Sequence, residues 1–174
     1  AGKTTTIRML LNIIAPDEGS VLINGIPHTQ KGVLDRVGYL PEERGLYRKM
    51  TVIDQLLFFA AIKSVEKKTA LSRLEKWIDV MDLRPWLGKK TEELSKGMQQ
   101  KVQFLGTIIH DPEVLILDEP FSGLDIQLRE RLQEGTLELL RETRATSMIV
   151  THHPEEAMRL GDRVAVMRAG RLVQ

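Results

Sequence analysis

The 174 residues are 42% hydrophobic and 28% charged, with a formal net charge of +1 and no cysteine. That length suits one domain, which buries roughly 70% of its unfolded surface without covalent staples. The composition excludes disulfides and thiolate metal sites, offers no basic run for a nucleic-acid partner, and contains no apolar stretch near the roughly 18 residues of a membrane span.

In chain order, Ile7, Leu10, Leu11 and Ile14 recur at helical spacing, which predicts a helix over 4–14 stopped by Pro16. "GSVLINGIP" reads as a short strand turning at Asn24-Gly25. Residues 37–40 form a strand that Pro41 breaks into a charged loop. Thr51, three residues before Asp54, caps a helix that is apolar nearly all round, which implies two buried contacts or a partner. A charged helix follows with Leu71, Leu74, Ile78 and Met81 on one stripe, then a helix from Lys96 ended by Pro112. "VLILDEP" is a buried-type strand. A helix over about 126–144, weakened by Gly135, leads to the strand "SMIVTHH", a short helix "PEEAMRLG" and a hairpin in "RVAVMRAGRLV". Three successive helices between about 51 and 111 interrupt the strand–helix alternation. The chain therefore reads as an α/β fold with a mostly parallel sheet and a helical subdomain inserted over about 42–111. Both ends read as cut.

Three stretches carry chemistry. "AGKTTT" matches the end of G-x-x-x-x-G-K-[ST], a loop whose backbone N–H groups and following helix cradle phosphates. Lys3 would reach the β/γ-phosphates and Thr4 would hold Mg²⁺. The motif's first glycine would precede Ala1, so most of the cradle is absent and the chain as given is expected to bind nucleotide poorly. "VLILDEP" delivers Asp118 and Glu119 at the C-terminal end of a strand, where α/β sheets keep ligands. Asp118 suits the Mg²⁺ shell and Glu119 suits a water, as general base. "LSKGMQQK" offers a second anion-binding helix start, with Ser95 as cap and Gly97 leaving it bare. One γ-phosphate does not need two such starts in one chain; two chains facing head to tail would use both.

These motifs in this order resemble the ATP-binding domain of ABC transporters, a P-loop NTPase fold: a Walker A end at Gly2, Lys3, Thr4 and Thr5, the loop after "GYLP", the signature "LSKGM", Walker B "VLILDEP", a D-loop "SGLD" and a histidine in "IVTH". The resemblance covers essentially all 174 residues. "GYLPEERGLYRKMTV" is further similar to export-type ATPases that pair with ABC-2 membrane subunits, the sodium and drug exporters. The resemblance implies ATP and Mg²⁺ as ligands, a dimer trapping nucleotide between one subunit's Walker motifs and the other's signature (Ser95, Lys96, Gly97), and a peripheral place on the cytoplasmic face of the cell membrane beside an integral membrane subunit. It implies that His152 is the switch histidine and that Asp125 crosses the dimer interface, where it also suits a helix cap. His153 is expected to point away from His152, making the pair a poor metal site. His28 and His110 receive no role.

Departures are specific. Glu42 stands where the family has a Mg²⁺-ligating Gln; a carboxylate can also ligate but adds negative charge. Lys96 and Met98 replace Gly and Gln of the usual signature, which implies an altered, still functional trans site. Ile126 replaces a frequent Pro. Two alternatives stand beside transport: a truncated or inactive domain that only binds a partner, and a soluble ABC ATPase of translation or DNA repair.

Overall fold

The computed structural model describes residues 2–43, 45–124, 126–143 and 145–173. Its centre is β4 (Val114–Asp118), which pairs in parallel with β3 (Val37–Leu40) on one side and β5 (Thr146–Val150) on the other. The apolar run of β4 is explained by burial on both faces. Leu115 and Leu117 point into the core shared with the helices after β3, and Ile116 points into a second cluster with Ile7, Ile23, Val33 and Val37. The remaining strands form two antiparallel hairpins, β1 (Leu22–Ile23) with β2 (Ile26–Pro27) and β6 (Met167–Arg168) with β7 (Arg171–Leu172). Both turn through two residues of positive φ, Asn24-Gly25 and Ala169-Gly170, which matches the right-handed twist of paired strands.

The helices are α1 (Lys3–Leu10), α2 (Val52–Ile62), α3 (Lys67–Val80), α4 (Lys96–Ile108), α5 (Ile126–Thr143) and α6 (Pro154–Leu160). The first is shorter than its periodicity predicts. The chain leaves α1 after Leu11 because Asn12 adopts φ 57, and Ile13 N–H bonds back to Arg8 C=O while Asn12 N–H bonds to Met9 C=O. This is a Schellman ending with asparagine in the place usually held by glycine. Ile13 and Ile14 are consequently exposed, at 62% and 37%. The same ending closes α2 at Ser64 and α3 at Asp82.

The predicted cap of α2 forms: Asp54 N–H donates to Thr51 Oγ1 at 3.2 Å. In α3 the buried stripe is Ala70, Leu74 and Ile78, continuing into Met81, whereas Leu71 is 38% exposed. The correction follows from small Ala70 taking the inward register one residue earlier. Gly135 leaves α5 unbroken, with space above it filled by Met81.

Helices α2, α3 and α4 lie between β3 and β4 in sequence, yet α4 is tied to the sheet as well as to its neighbours. Gln103 donates to Glu43 C=O at 3.2 Å, Thr107 to Tyr39 C=O at 3.4 Å, and Gln100 to Pro120 C=O at 2.9 Å. Helix α4 also approaches the sheet closely at Gly38, where a Cβ would stand 2.6 Å from Thr107 O and 2.8 Å from a Leu115 methyl. Backbone cannot yield as a side chain can, so Gly38→Ala is expected to cost about 1–3 kcal/mol. Thermal denaturation would then fall by roughly 2–4 °C per kcal/mol for a domain of this size.

Candidate active site

The site forms where α1 begins and β4 and β5 end. Gly2 precedes α1 at φ 106, and a Cβ there would lie 3.1 Å from Gly170 Cα, so the chain requires glycine at this approach. Lys3 opens the helix and extends back across the strand ends. Its Nζ donates to Glu119 Oε1 at 3.0 Å and to Thr151 C=O at 3.0 Å. The other carboxylate oxygen, Glu119 Oε2, lies 2.8 Å from His152 Nδ1. Three sequence motifs, with Lys3 116 and His152 33 residues from Glu119, thus meet on one carboxylate.

Glu119 is held in an uncommon backbone conformation, φ 49. Its N–H donates to Val150 C=O at 2.8 Å and its C=O accepts from Ser122 N–H at 3.1 Å, so the neighbouring strand and the following turn impose the geometry. Such strain in a non-glycine residue is of order 1–3 kcal/mol and concentrates at functional sites. Burial alone would push the Glu119 carboxyl up, but hydrogen bonds from His152 and Lys3 outweigh it and hold the carboxyl below the usual range. Asp118, one residue earlier and 3% exposed, shifts the other way. Burial raises it, Glu42 and Glu119 raise it further, and Lys3 only partly opposes them. Tyr39 is likewise raised by burial and by the negative charge of Asp118.

The predicted residues divide by place. Lys3, Glu119 and His152 are brought into contact, with Asp118 beside them and Glu42 near enough to act on Asp118. Thr4 and Thr5 are exposed in the first turn of α1. Ser95, Lys96 and Gly97 stand at the start of α4; among the described residues none bonds to the Lys3–Glu119 group. Ser95 Oγ accepts Met98 N–H at 3.3 Å, the predicted cap. Gly97 is buried, while Ser95 and Lys96 are exposed. Helical rotation turns the second residue of α4 inward. Asp125 lies outside the described residues. His152 and His153 do not point apart; their rings stack at 4.0 Å with a 40° tilt. Strand alternation no longer applies there, because β5 ends at Val150. The His152 side chain is 61% exposed and bonds a carboxylate, unlike a buried histidine tied to backbone. Sequence reasoning missed Thr151, whose carbonyl serves Lys3; only its position before His152 could have signalled it.

The donor set fits a phosphate chain with a divalent cation. A glycine-started helix presents first-turn N–H groups that lack intrahelical acceptors. Asp118, Glu42 and the Thr4 hydroxyl are hard oxygen donors, and two of them are carboxylates whose mutual repulsion a cation relieves. Among the described residues no cluster of His, Asp or Glu suffices to hold a metal by itself.

The raised Asp118 carboxyl has a sign for stability. The folded state holds its proton more tightly than the unfolded state, so stability is lost as pH rises above the ordinary value of 3.8 toward the raised one. Asp118→Asn is therefore expected to raise the melting temperature of the ligand-free chain at pH 7. The gain should vanish below the ordinary carboxyl value, which calorimetric melts across pH would read.

Comparison with known proteins places this geometry in a family. A family model described as ABC transporter matches residues 1–122. A model of an AAA domain, described as a putative AbiEii toxin of a type IV TA system, matches residues 90–159. The chain is 42% identical over 173 residues to the ABC transporter ATP-binding protein YhaQ of Bacillus subtilis (strain 168), covering 99% of this chain and 57% of YhaQ. It is 36% identical over 175 residues to the molybdate/tungstate import ATP-binding protein WtpC of Pyrococcus abyssi (strain GE5 / Orsay), covering 100% of this chain and 51% of WtpC. The chain thus spans little more than half the length of these relatives. The solved structure of cbiO1 from Clostridium perfringens, part of the ABC transporter complex cbiONQ, superposes with a TM-score of 0.86 at 26% identity, covering 99% of this chain and 71% of that one. With the Walker and histidine motifs assembled on one carboxylate and the family model spanning most of its length, the chain belongs to the ABC transporter ATP-binding family.

Proposed function

We propose that this chain is the catalytic part of a subunit that binds and hydrolyses ATP to power transport across a membrane, working as a head-to-tail dimer on a membrane subunit. The observation that carries the reading is the convergence of Lys3 and His152 on the two oxygens of Glu119, beside buried Asp118. In this reading Lys3 exchanges its carboxylate partner for the β/γ-phosphates, freeing Glu119 to accept a proton from water. In the ligand-free site hydrogen bonds from His152 and Lys3 hold that carboxyl below its ordinary value against burial, and His152 stays as its partner when Lys3 turns to the phosphates. His152 then orients that water and the γ-phosphate from the same side. Mg²⁺, held by Thr4, Asp118 and Glu42, would neutralise charge on the phosphates. Ser95 and Lys96 serve the phosphates of the facing subunit, a role their exposure allows, and Asp125 crosses the dimer interface.

Residues 42–111 act as a helical subdomain in this account. Its outer face offers a docking surface for the membrane subunit: Tyr47 is 56% exposed and packs edge-on against Phe58 at 5.1 Å, and Ile62, one turn along α2, is 62% exposed. Among the described residues no helix is long and apolar enough to cross a membrane. The place proposed for the subunit, on the cytoplasmic face beside the membrane subunit, rests on the family and not on that observation. The export-type reading rests on the wording from Gly38 to Val52, while WtpC is named for import; direction and cargo are assigned to the membrane subunit. An inactive binding module is disfavoured by the ordered Lys3–Glu119–His152 contacts.

Two outcomes are expected. Glu119→Gln in the protein at its full encoded length should lower kcat for ATP by at least about 100-fold, with nucleotide affinity retained, since a positioned base contributes roughly 10²–10⁴ in rate. Loss of binding with unchanged residual turnover would assign Glu119 to phosphate binding. Ile62→Asp should leave ATP hydrolysis by the isolated subunit unchanged while abolishing its co-purification with the membrane subunit.

A further inference from the structure

Beneath the histidine loop lies a buried carboxylate that the reading above does not use. Glu156, in the first turn of α6, is 3% exposed. Its Oε2 accepts the Thr151 hydroxyl at 2.6 Å. That same hydroxyl oxygen accepts His153 N–H at 3.1 Å, so both sides of the Thr151–His153 turn are fixed through one atom. Among the described residues the second oxygen, Glu156 Oε1, is buried and has no hydrogen bond, and neither has buried Arg129 Nε, which faces it at 3.8 Å. Arg129 also donates from Nη2 to Leu124 C=O at 3.3 Å, in the turn that follows Glu119. Two orphaned charged atoms facing each other just beyond bonding distance form an ion pair without a hydrogen bond between them. A small displacement of either the turn at Leu124 or the loop at Thr151 closes or opens it.

We propose that Glu156 is a positioning residue for hydrolysis, coupling the turn after Glu119 to the histidine loop: held by Arg129, its carboxylate locks the Thr151 hydroxyl and so sets where the Thr151 carbonyl meets Lys3 and where His152 meets Glu119. The inference rests on the ATPase reading. The chain of contacts runs from Leu124 through Arg129, Glu156 and Thr151 to Lys3 and His152, and each link is within the described residues. A carboxylate serving only to favour the start of α6 would need neither the threonine hydroxyl nor the arginine.

The test compares Thr151→Val, Thr151→Ser, Glu156→Gln and Arg129→Met in the protein at its full encoded length. Steady-state MgATP hydrolysis is measured alongside the ¹⁵N signals of the His152 ring at fixed pH. Thr151→Val and Glu156→Gln are expected to lower kcat by about 10- to 100-fold, the scale of an ångström-sized misplacement, with KM changed less than about two-fold. Thr151→Ser keeps the hydroxyl and should stay within about two-fold of wild type. The His152 ring signals should move in Thr151→Val, Glu156→Gln and Arg129→Met and not in Thr151→Ser. Unmoved ring signals and wild-type kcat in Thr151→Val and Glu156→Gln would overturn the proposal. So would equal losses in Thr151→Val and Thr151→Ser, which would make the site a matter of packing. A wild-type protein without turnover would instead remove the ATPase reading, while the ring signals would still decide the coupling.

Discussion

The site depends on adjacent carboxylates at the end of one strand. Asp118 and Glu119 are both nearly buried, and two such charges side by side are costly unless cations or donors answer them. The fold answers Glu119 with Lys3 and His152 and leaves Asp118 pushed upward by burial, Glu42 and Glu119. The two neighbours therefore separate in proton affinity. A carboxylate that stays ionised suits a base. One under electrostatic pressure suits a cation.

That arrangement requires the rest of the fold. The parallel register fixes Asp118 opposite Val150, so the histidine loop leaves β5 beside the turn that begins at Glu119. Helix α1 enters from the far end of the sequence with Lys3 as its first residue, anchored by fully buried Ile7 in the smaller core cluster. Helix α4 reaches the same turn from the other side through Gln100 and Pro120 C=O. The turn after Glu119 thus touches helix α4 through Pro120 C=O and Arg129 of the Arg129–Glu156 pair through Leu124 C=O. These contacts form a contiguous physical path between the Glu119 carboxylate and the surfaces proposed to meet other subunits.

Glu42 alters the family pattern at the most sensitive point. The side chain is exposed, yet its charge contributes to raising Asp118. A glutamine there would exert no such repulsion on Asp118. The acidic variant makes the ligand-free site less tolerant of its own charge, and so ties its comfort more closely to a bound cation.

Much of this was determined by the sequence itself. Among the described residues, the sequence marked the three parallel strands and the six α-helices but not the short 3-10 turns at Leu34–Arg36, Arg84–Trp86 and Thr91–Glu93, because spacing reports only faces long enough to be buried. Lys3, Asp118 and Glu119 could be picked out because phosphate and carboxylate chemistry favours those residue types at strand ends and helix starts, whereas His152 was legible only through the family resemblance. The helix ends were not legible: Asn12, Ser64 and Asp82 take the left-handed position where glycine would have announced a stop. The inward turn of Gly97 and the stacking of His152 on His153 were settled by helix rotation and by where β5 ends. Only the tertiary structure decided that Thr151, Arg129 and Glu156 belong with the site. Their contacts join residues that no local period relates, and a buried carboxylate looks in sequence like any acidic residue at the start of a helix.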